Sequence, residues 1–259
     1  MSDLNESGRL TAKRLLEALN ANQFILYCQP IERLRPGPPE GRYIEILVRL
    51  LEEEQKLLPP GTFLPLLQEA GLMPLLDRWV VREILKWLKI QRDKAPNRAL
   101  PRCSVNLSAS ALSDRQLAAF VQQELVASSI APDKLSFEFS MTDIRAQRQG
   151  FIDVASRLKP LNCSIAVSGF GIGATSLPGL QHLGVRIVKI DGGLVRNLGR
   201  KPAALERLRT ITDACMGLGL HSVAEMVEEQ ETIDILRDTD VDYAQGFGIG
   251  LPIPLSQLG

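Results

Sequence analysis

Histidine is almost missing from this chain: 259 residues hold two, His182 and His221. Neither stands in a nucleophile context, so a Ser-His or Cys-His hydrolase triad is not expected. Cysteine is nearly as scarce. Cys28, Cys103, Cys163 and Cys215 form no C-x-x-C pair, and three of them lie inside apolar, strand-like runs. They read as buried thiols in a reducing compartment, not as a disulfide frame or a zinc site. No run of about eighteen apolar residues occurs, so no membrane span is expected. Met1-Ser2-Asp3-Leu4-Asn5 lacks a basic and apolar leader, and a cytoplasmic location is the expectation. Net charge is also absent, because thirty basic residues balance thirty acidic ones. That excludes a broad field for DNA or an anionic membrane, though not a small basic pocket for one phosphodiester. No internal repeat, low-complexity tract or interdomain linker interrupts the chain. Gly169-Phe170-Gly171-Ile172-Gly173 is glycine-rich but lacks the continuation of a dinucleotide fingerprint or a P-loop.

What is present is a large apolar share, 45%, with 23% charged residues. This suits one large domain with a full core. Residues 1–9 are polar and expected to be disordered. Leu15, Leu16 and Leu19 have helical spacing and predict a lead-in helix over Leu10–Leu19. We therefore divide the chain into a tail with its helix, 1–20, and a barrel domain, 21–259. From Phe24 onward, short runs rich in Ile, Val and Phe alternate with longer helical patterns. The runs are 24–28, 43–47, 103–107, 135–139, 163–167, 185–190, 221–224 and a last one at Tyr243-Ala244. Alternation predicts parallel strands with crossover helices. Eight such units in a chain of this length predict an α/β fold, a closed (β/α)8 TIM-like barrel. The link Arg33–Gly41 is rich in proline and glycine and reads as a turn, which permits an antiparallel pairing of the first two strands and is too short on helical residues for a crossover. Trp79 and Trp87, with Leu75, Leu76, Val80, Ile84, Leu85 and Leu88, read as a core-facing helix stripe rather than an aromatic binding box. Glu52-Glu53-Glu54 reads as a solvated turn.

A parallel barrel carries its active face at the C-terminal ends of its strands. The polar residues in or just after the runs are Gln29, Glu45, Arg49, Asn106, Glu138, Ser168, Lys189, Asp191, Glu225 and Gln245. Unpaired, each such group would cost about 2–7 kcal/mol on burial. Any one of them alone would be read as an ordinary buried hydrogen bond. Together they predict a site at one mouth, compensated by salt bridges to Lys189 and Arg49 or by a cation such as Mg²⁺ or Mn²⁺.

Several segments, in order, resemble a known family. Glu45-Ile46-Leu47-Val48-Arg49 looks like Glu-Ala-Leu-x-Arg, the signature of the EAL family of cyclic di-GMP phosphodiesterases. Cys28-Gln29-Pro30-Ile31, Val105-Asn106-Leu107-Ser108, Phe137-Glu138-Phe139-Ser140 and Val188-Lys189-Ile190-Asp191 resemble further segments of it. So do Val223-Ala224-Glu225-Met226-Val227-Glu228, with Met226 in place of glycine, and Asp242-Tyr243-Ala244-Gln245-Gly246-Phe247. The resemblance covers residues 20 to 255 and implies an EAL-type barrel whose first strand is antiparallel. It implies metal ligands at Glu45, Asn106, Glu138 and Glu225 and catalytic roles at Lys189 and Glu225. It places Gln245 on a metal-bound water and phosphate at Arg49 and the backbone near Leu47. Asp77 would lie near a guanine edge, and Gln29, Phe247 and Pro252 would complete the ligand-binding set.

Ser168-Gly169-Phe170-Gly171 departs from the family's Asp-Asp-Phe-Gly. The first aspartate bridges two metals in the family enzymes and the second completes one of them. Met141 replaces a frequent glutamate, and Leu251 a frequent basic residue. A two-metal hydrolysis needs both ions close together. The expectation is therefore a degenerate member in which the metal ligands and catalytic residues are vestigial, acting as a cyclic di-GMP receptor in bacterial signalling. No cofactor is required, although one weakly held Mg²⁺ or Mn²⁺ is compatible. The signalling partner is not specified, and a homodimer is allowed. The alternatives are a protein-interaction module that no longer binds nucleotide and a weak metal-dependent phosphodiesterase.

Overall fold

The computed structural model describes residues 10–36, 41–51, 57–171 and 177–258. The predicted tail 1–9, the Glu52-Glu53-Glu54 turn and part of the glycine-rich loop fall outside them. Helix α1 spans Ala12–Asn20 and is capped by Thr11, whose Oγ1 accepts from the Arg14 N–H. Its buried face is Leu15, Ala18 and Leu19, which join the main core.

Eight strands build the barrel: β1 (Phe24–Arg33), β2 (Tyr43–Leu51), β4 (Arg102–Asn106), β5 (Leu135–Ser140), β6 (Ser164–Phe170), β7 (Val185–Ile190), β8 (His221–Ala224) and β9 (Tyr243–Ala244). Two short strands extend it, β3 (Leu57–Leu58) and β10 (Ile253–Pro254). The sequence reading missed both, because each is two residues long and stands outside the alternation of apolar runs and helices. The hydrogen-bonded order is β10-β1-β9-β8-β7-β6-β5-β4-β2-β3, and an additional β1–β2 pairing closes the cylinder. Strands β2 and β4 to β9 run parallel in that order, while β1 is antiparallel to both β2 and β9. The proline-rich link is too short for a crossover helix, and this inversion is its consequence.

Helices cover the outside: α2 (Pro60–Glu69), α3 (Met73–Lys94), α4 (Leu117–Ser128), α5 (Met141–Ala146), α6 (Arg148–Leu158), α7 (Leu177–His182), α8 (Gly192–Val195), α9 (Pro202–Gly217) and α10 (Gln230–Asp238). Helix α3 buries Leu76, Val80, Val81, Ile84, Leu85 and Leu88. Trp79 and Trp87 pack partly buried against this core, whereas Leu75, expected in the stripe, is exposed. All four cysteines are buried, as read, and burial pushes the Cys28 thiol up to about 11. Among the described residues no helix is long and apolar enough to cross a membrane.

Candidate functional site

Period-two alternation stacks two layers inside the barrel. The lower layer is a small apolar cluster of Ile31, Tyr43, Ala166, Ile187, Val223 and Tyr243. Two residues away from each stands a polar one: Gln29, Glu45, Ser168, Lys189, Glu225 and Gln245. On β4 and β5 the same step leads from Ser104 to Asn106 and from Ser136 to Glu138. The polar groups thus share one level because they share a strand face, and the apolar floor beneath them keeps water from one side.

Lys189 is the centre of that level. It is 1% exposed, and its Nζ donates to Glu45 Oε2 at 2.8 Å and to Glu138 Oε2 at 2.9 Å and Oε1 at 3.1 Å. Glu225 Oε1 lies 3.3 Å away. Burial alone would strip the proton from Lys189, but the charges of Glu138, Glu45 and Glu225 reverse this and hold its pKa well above the ordinary value. Burial also opposes the charge on Glu45. There Lys189 and hydrogen bonds from Lys189, Asn106 and Gln245 win, and the pKa is lowered. For Glu138 burial wins over the pull of Lys189, with help from the charges of Glu45 and Glu225, and pushes it up to about 7. Glu225 is raised by burial and by Glu45, against Lys189 and the Gly169 N–H. One buried ammonium therefore serves three carboxylates.

Amides complete the ring. Asn106 Nδ2 donates to Glu45 Oε1 at 2.6 Å, and Gln245 Nε2 donates to Glu45 Oε2 at 2.5 Å and Gln29 Oε1 at 3.1 Å. Gln29 Nε2 in turn holds the carbonyl of Gly250 at 2.9 Å. Sequence reading missed Ser104, whose Oγ donates to Glu138 Oε2 at 3.0 Å. Its signal was available, since Ser104 and Asn106 share a strand face.

The other predicted residues lie apart from the cluster's own bonds. Arg49, at the end of β2, is half-buried; it donates to the Val48 carbonyl and lies over the Tyr27 ring at 5.3 Å. Leu47 is half-buried on the same strand, and Pro252 is half-buried ahead of β10. Phe247 is 65% exposed at the mouth. Asp77 is buried in α3 and bound to the Ser108 N–H and to Ser108 Oγ at 2.6 Å, so it braces the turn after β4. Burial pushes it up to about 6, although Ser108 opposes that shift. Ser168 pairs with Ser140 at the end of β6, and Gly169 follows with φ +68°. The Gly169 N–H donates to Glu225 Oε2 at 3.4 Å.

A hard divalent cation takes carboxylate and amide oxygens, and Glu45, Asn106, Glu138 and Glu225 have those atoms. Here they are engaged by one another and by Lys189 instead. The carboxylates converge on an ammonium, and Asn106 turns its N–H toward Glu45. Among the described residues no group of three or more His, Cys, Asp or Glu is disposed around an ion.

Fold and site together define a TIM-type barrel with a polar mouth at the carboxyl ends of its parallel strands. The profile of the EAL domain matches residues 12–252, and the chain belongs to the EAL domain family. It is 32% identical over 245 residues to the cyclic di-GMP phosphodiesterase PdeB of Shewanella oneidensis, covering 95% of this chain and 28% of that protein. The chain spans about a third of the length of the curated relatives it matches, 28%, 31% and 32% in three of them. Among solved structures it resembles the FimX EAL domain of Pseudomonas aeruginosa bound to c-di-GMP, at 29% identity and a TM-score of 0.83, covering 92% of this chain and 94% of that one. The PaMucR phosphodiesterase in complex with c-di-GMP is similar at 28% identity and a TM-score of 0.85, covering 95% of this chain and 98% of that one.

Proposed function

We propose that this domain is a cyclic di-GMP receptor in which the metal-dependent hydrolysis of its family has lapsed. The observation that carries the reading is the end of β6. Ser168 and Gly169 bring no carboxylate to the mouth, and the carboxylates that remain are engaged by Lys189. The binding side is better kept. Arg49 stands at the strand end with guanidinium N–H groups suited to a phosphate, and Gln29, Gln245 and Phe247 line one cleft. Structures of similar EAL domains holding c-di-GMP support the choice of ligand. A weakly held Mg²⁺ or Mn²⁺ at Glu45, Asn106, Glu138 and Glu225 belongs to a second reading, a slow phosphodiesterase. The resemblance to PdeB favours that one.

Calorimetry with cyclic di-GMP, with and without chelator, separates the two. On the receptor reading, EDTA leaves the dissociation constant unchanged and no linear product accumulates with Mg²⁺ or Mn²⁺. Loss of all affinity in EDTA, or turnover at about 1 s⁻¹ or faster, contradicts it.

Arg49→Ala is expected to weaken cyclic di-GMP binding about ten- to a hundredfold or more, from a charge-assisted bond of about 1.5–3 kcal/mol. The melting temperature should hold, because the side chain lies half-buried on Tyr27 and not in the core. An unchanged dissociation constant would instead favour a protein-interaction module.

A further inference from the structure

The flank of the barrel outside β5 and β6 is covered by short helices. Helix α5 ends after six residues, where Gln147 leaves helical geometry at φ −130° and ψ 52°, and α6 restarts at Arg148. Helix α7 is also six residues long. At 1.5 Å per residue each of the two reaches only about 9 Å. Between α5, α6 and α7 lies a cavity of about 650 Å³. That volume is within the roughly 300–1,000 Å³ of pockets that enclose a small molecule. None of its described lining residues belongs to the polar ring at the mouth.

The floor of this cavity is apolar. Met141, Ile144, Phe151 and Leu180 are buried in it, and the half-buried Ile152 and Leu183 complete the walls. The Phe151 ring is already held edge-on against Phe139, with centroids 5.5 Å apart. Branched and thioether side chains therefore dominate over free ring faces, which suits an alkyl body better than a stacked heteroaromatic one. The rim is basic. Arg145, Arg148 and His182 stand on it, and no carboxylate occurs among the described lining residues. Lys159 adds a fourth basic side chain at one end, its Nζ donating to the His182 carbonyl at 3.1 Å. The one acid of α6, Asp153, accepts from Gln149 at 2.9 Å. Thirty acids balance thirty bases in the whole chain, so this local excess is not a product of composition.

We propose that this cavity binds a small amphipathic anion, an unbranched acyl chain ending in a carboxylate. The chain would lie against Met141, Ile144 and Leu180, with the carboxylate at Arg145 and Arg148. A guanidinium pairs with a carboxylate through two parallel N–H···O bonds, and burial of the methylenes supplies the rest of the affinity. This site stands apart from the nucleotide reading, because none of its residues serves the mouth.

Calorimetry on the intact chain with decanoate, below its micellar concentration, tests it. Decanol and decyltrimethylammonium carry the same chain with no charge or the opposite one, and butyrate carries the carboxylate on a short tail. Decanoate is expected to bind once per chain, and the other three at least about tenfold more weakly. Arg145→Gln combined with Arg148→Gln should weaken decanoate about ten- to a hundredfold, the range of a charge-assisted bond. The melting temperature and cyclic di-GMP binding should be unchanged, since both arginines are exposed and distant from the polar ring. Ile152→Trp, which fills the cavity from a half-buried position, should weaken decanoate as well. Absence of decanoate binding overturns the assignment. So does equal binding of decanol or decyltrimethylammonium, which would mean an indiscriminate apolar surface. Binding that neither variant weakens would lie elsewhere on the chain and overturns it too. Sedimentation identifies the remaining occupant: a dimer that Ile152→Trp dissociates, with no decanoate bound, would mean that a second copy covers the cavity instead.

Discussion

Lys189→Met is expected to cost about 3–5 kcal/mol of folding stability, the penalty of leaving buried charges without their partner. That is a large part of the roughly 5–15 kcal/mol that holds a domain together. The loss of packing is small, since methionine nearly fills the stem's volume. What remains is Glu45, Glu138 and Glu225 facing one another with no cation between them. The pH dependence should identify the cause. Burial already raises Glu138 to about 7 and raises Glu225, and Lys189 is the charge that pulls both down. Without it both carboxyls hold their protons more tightly in the folded state than in the unfolded chain. The folded variant then binds more protons than the unfolded one between about pH 5 and 7, so its stability rises as pH falls through that range. Urea melts at pH 5 and pH 7 measure this. The deficit against wild type should shrink at pH 5, and adding Glu138→Gln should recover part of it at pH 7. A variant as stable as wild type at pH 7 would mean that the cluster is solvated and that the buried-ammonium account is wrong.

On the receptor reading, the double change Ser168→Asp with Gly169→Asp should turn the mouth into a Mn²⁺ site and give measurable cyclic di-GMP hydrolysis where the parent is expected to show none. Local geometry permits it. Gly169 sits at φ +68°, a region that aspartate enters more readily than most residues. Among the described residues, the one atom within 4 Å of a Cβ built there is Asp191 Oδ2, at 4.0 Å. The new carboxylate would stand between Asp191 and Glu225, whose Oε2 accepts from the Gly169 N–H. Without metal these like charges repel, so the melting temperature should drop and then recover on adding Mn²⁺. With metal, the carboxylates engaged by Lys189 gain a competing cation, and a two-ion arrangement has its missing bridge. The readouts are Mn²⁺ titration, melting temperature and detection of linear product. Tight Mn²⁺ binding without product would place the remaining defect in the loops, where Met226 and Met141 differ from the family pattern. No Mn²⁺ binding at all would remove Glu45, Asn106, Glu138 and Glu225 from the role of metal ligands.

Much of the fold was legible before any coordinate. The run Val185–Ile190 coincides with its strand because four of its six residues, Val185, Ile187, Val188 and Ile190, are β-branched and buried. The inverted first strand was legible too, from a link too rich in proline and glycine to form a helix. Strands β3 and β10 were not, since their two residues each pair only because neighbouring backbone happens to be in reach. The site was legible as a set of types and not as a set of bonds. Ser104 was missed because a serine inside a strand looks like filler until Glu138 is seen above it. Asp77 was read near a guanine edge, and what the sequence did not show is that its carboxylate accepts from Ser108.

The sequence by itself determined the alternation of strands and helices, the polar residues at the strand ends, and a serine and a glycine at residues 168 and 169. These are local properties, written in period and composition. Tertiary structure alone decided that Lys189 would be shared by glutamates 144, 51 and 36 residues away along the chain, a count that follows from their positions at 45, 138 and 225. Closure of the cylinder brings strands from distant parts of the chain to one level, and only there can a single ammonium be weighed against three carboxylates, two of them buried.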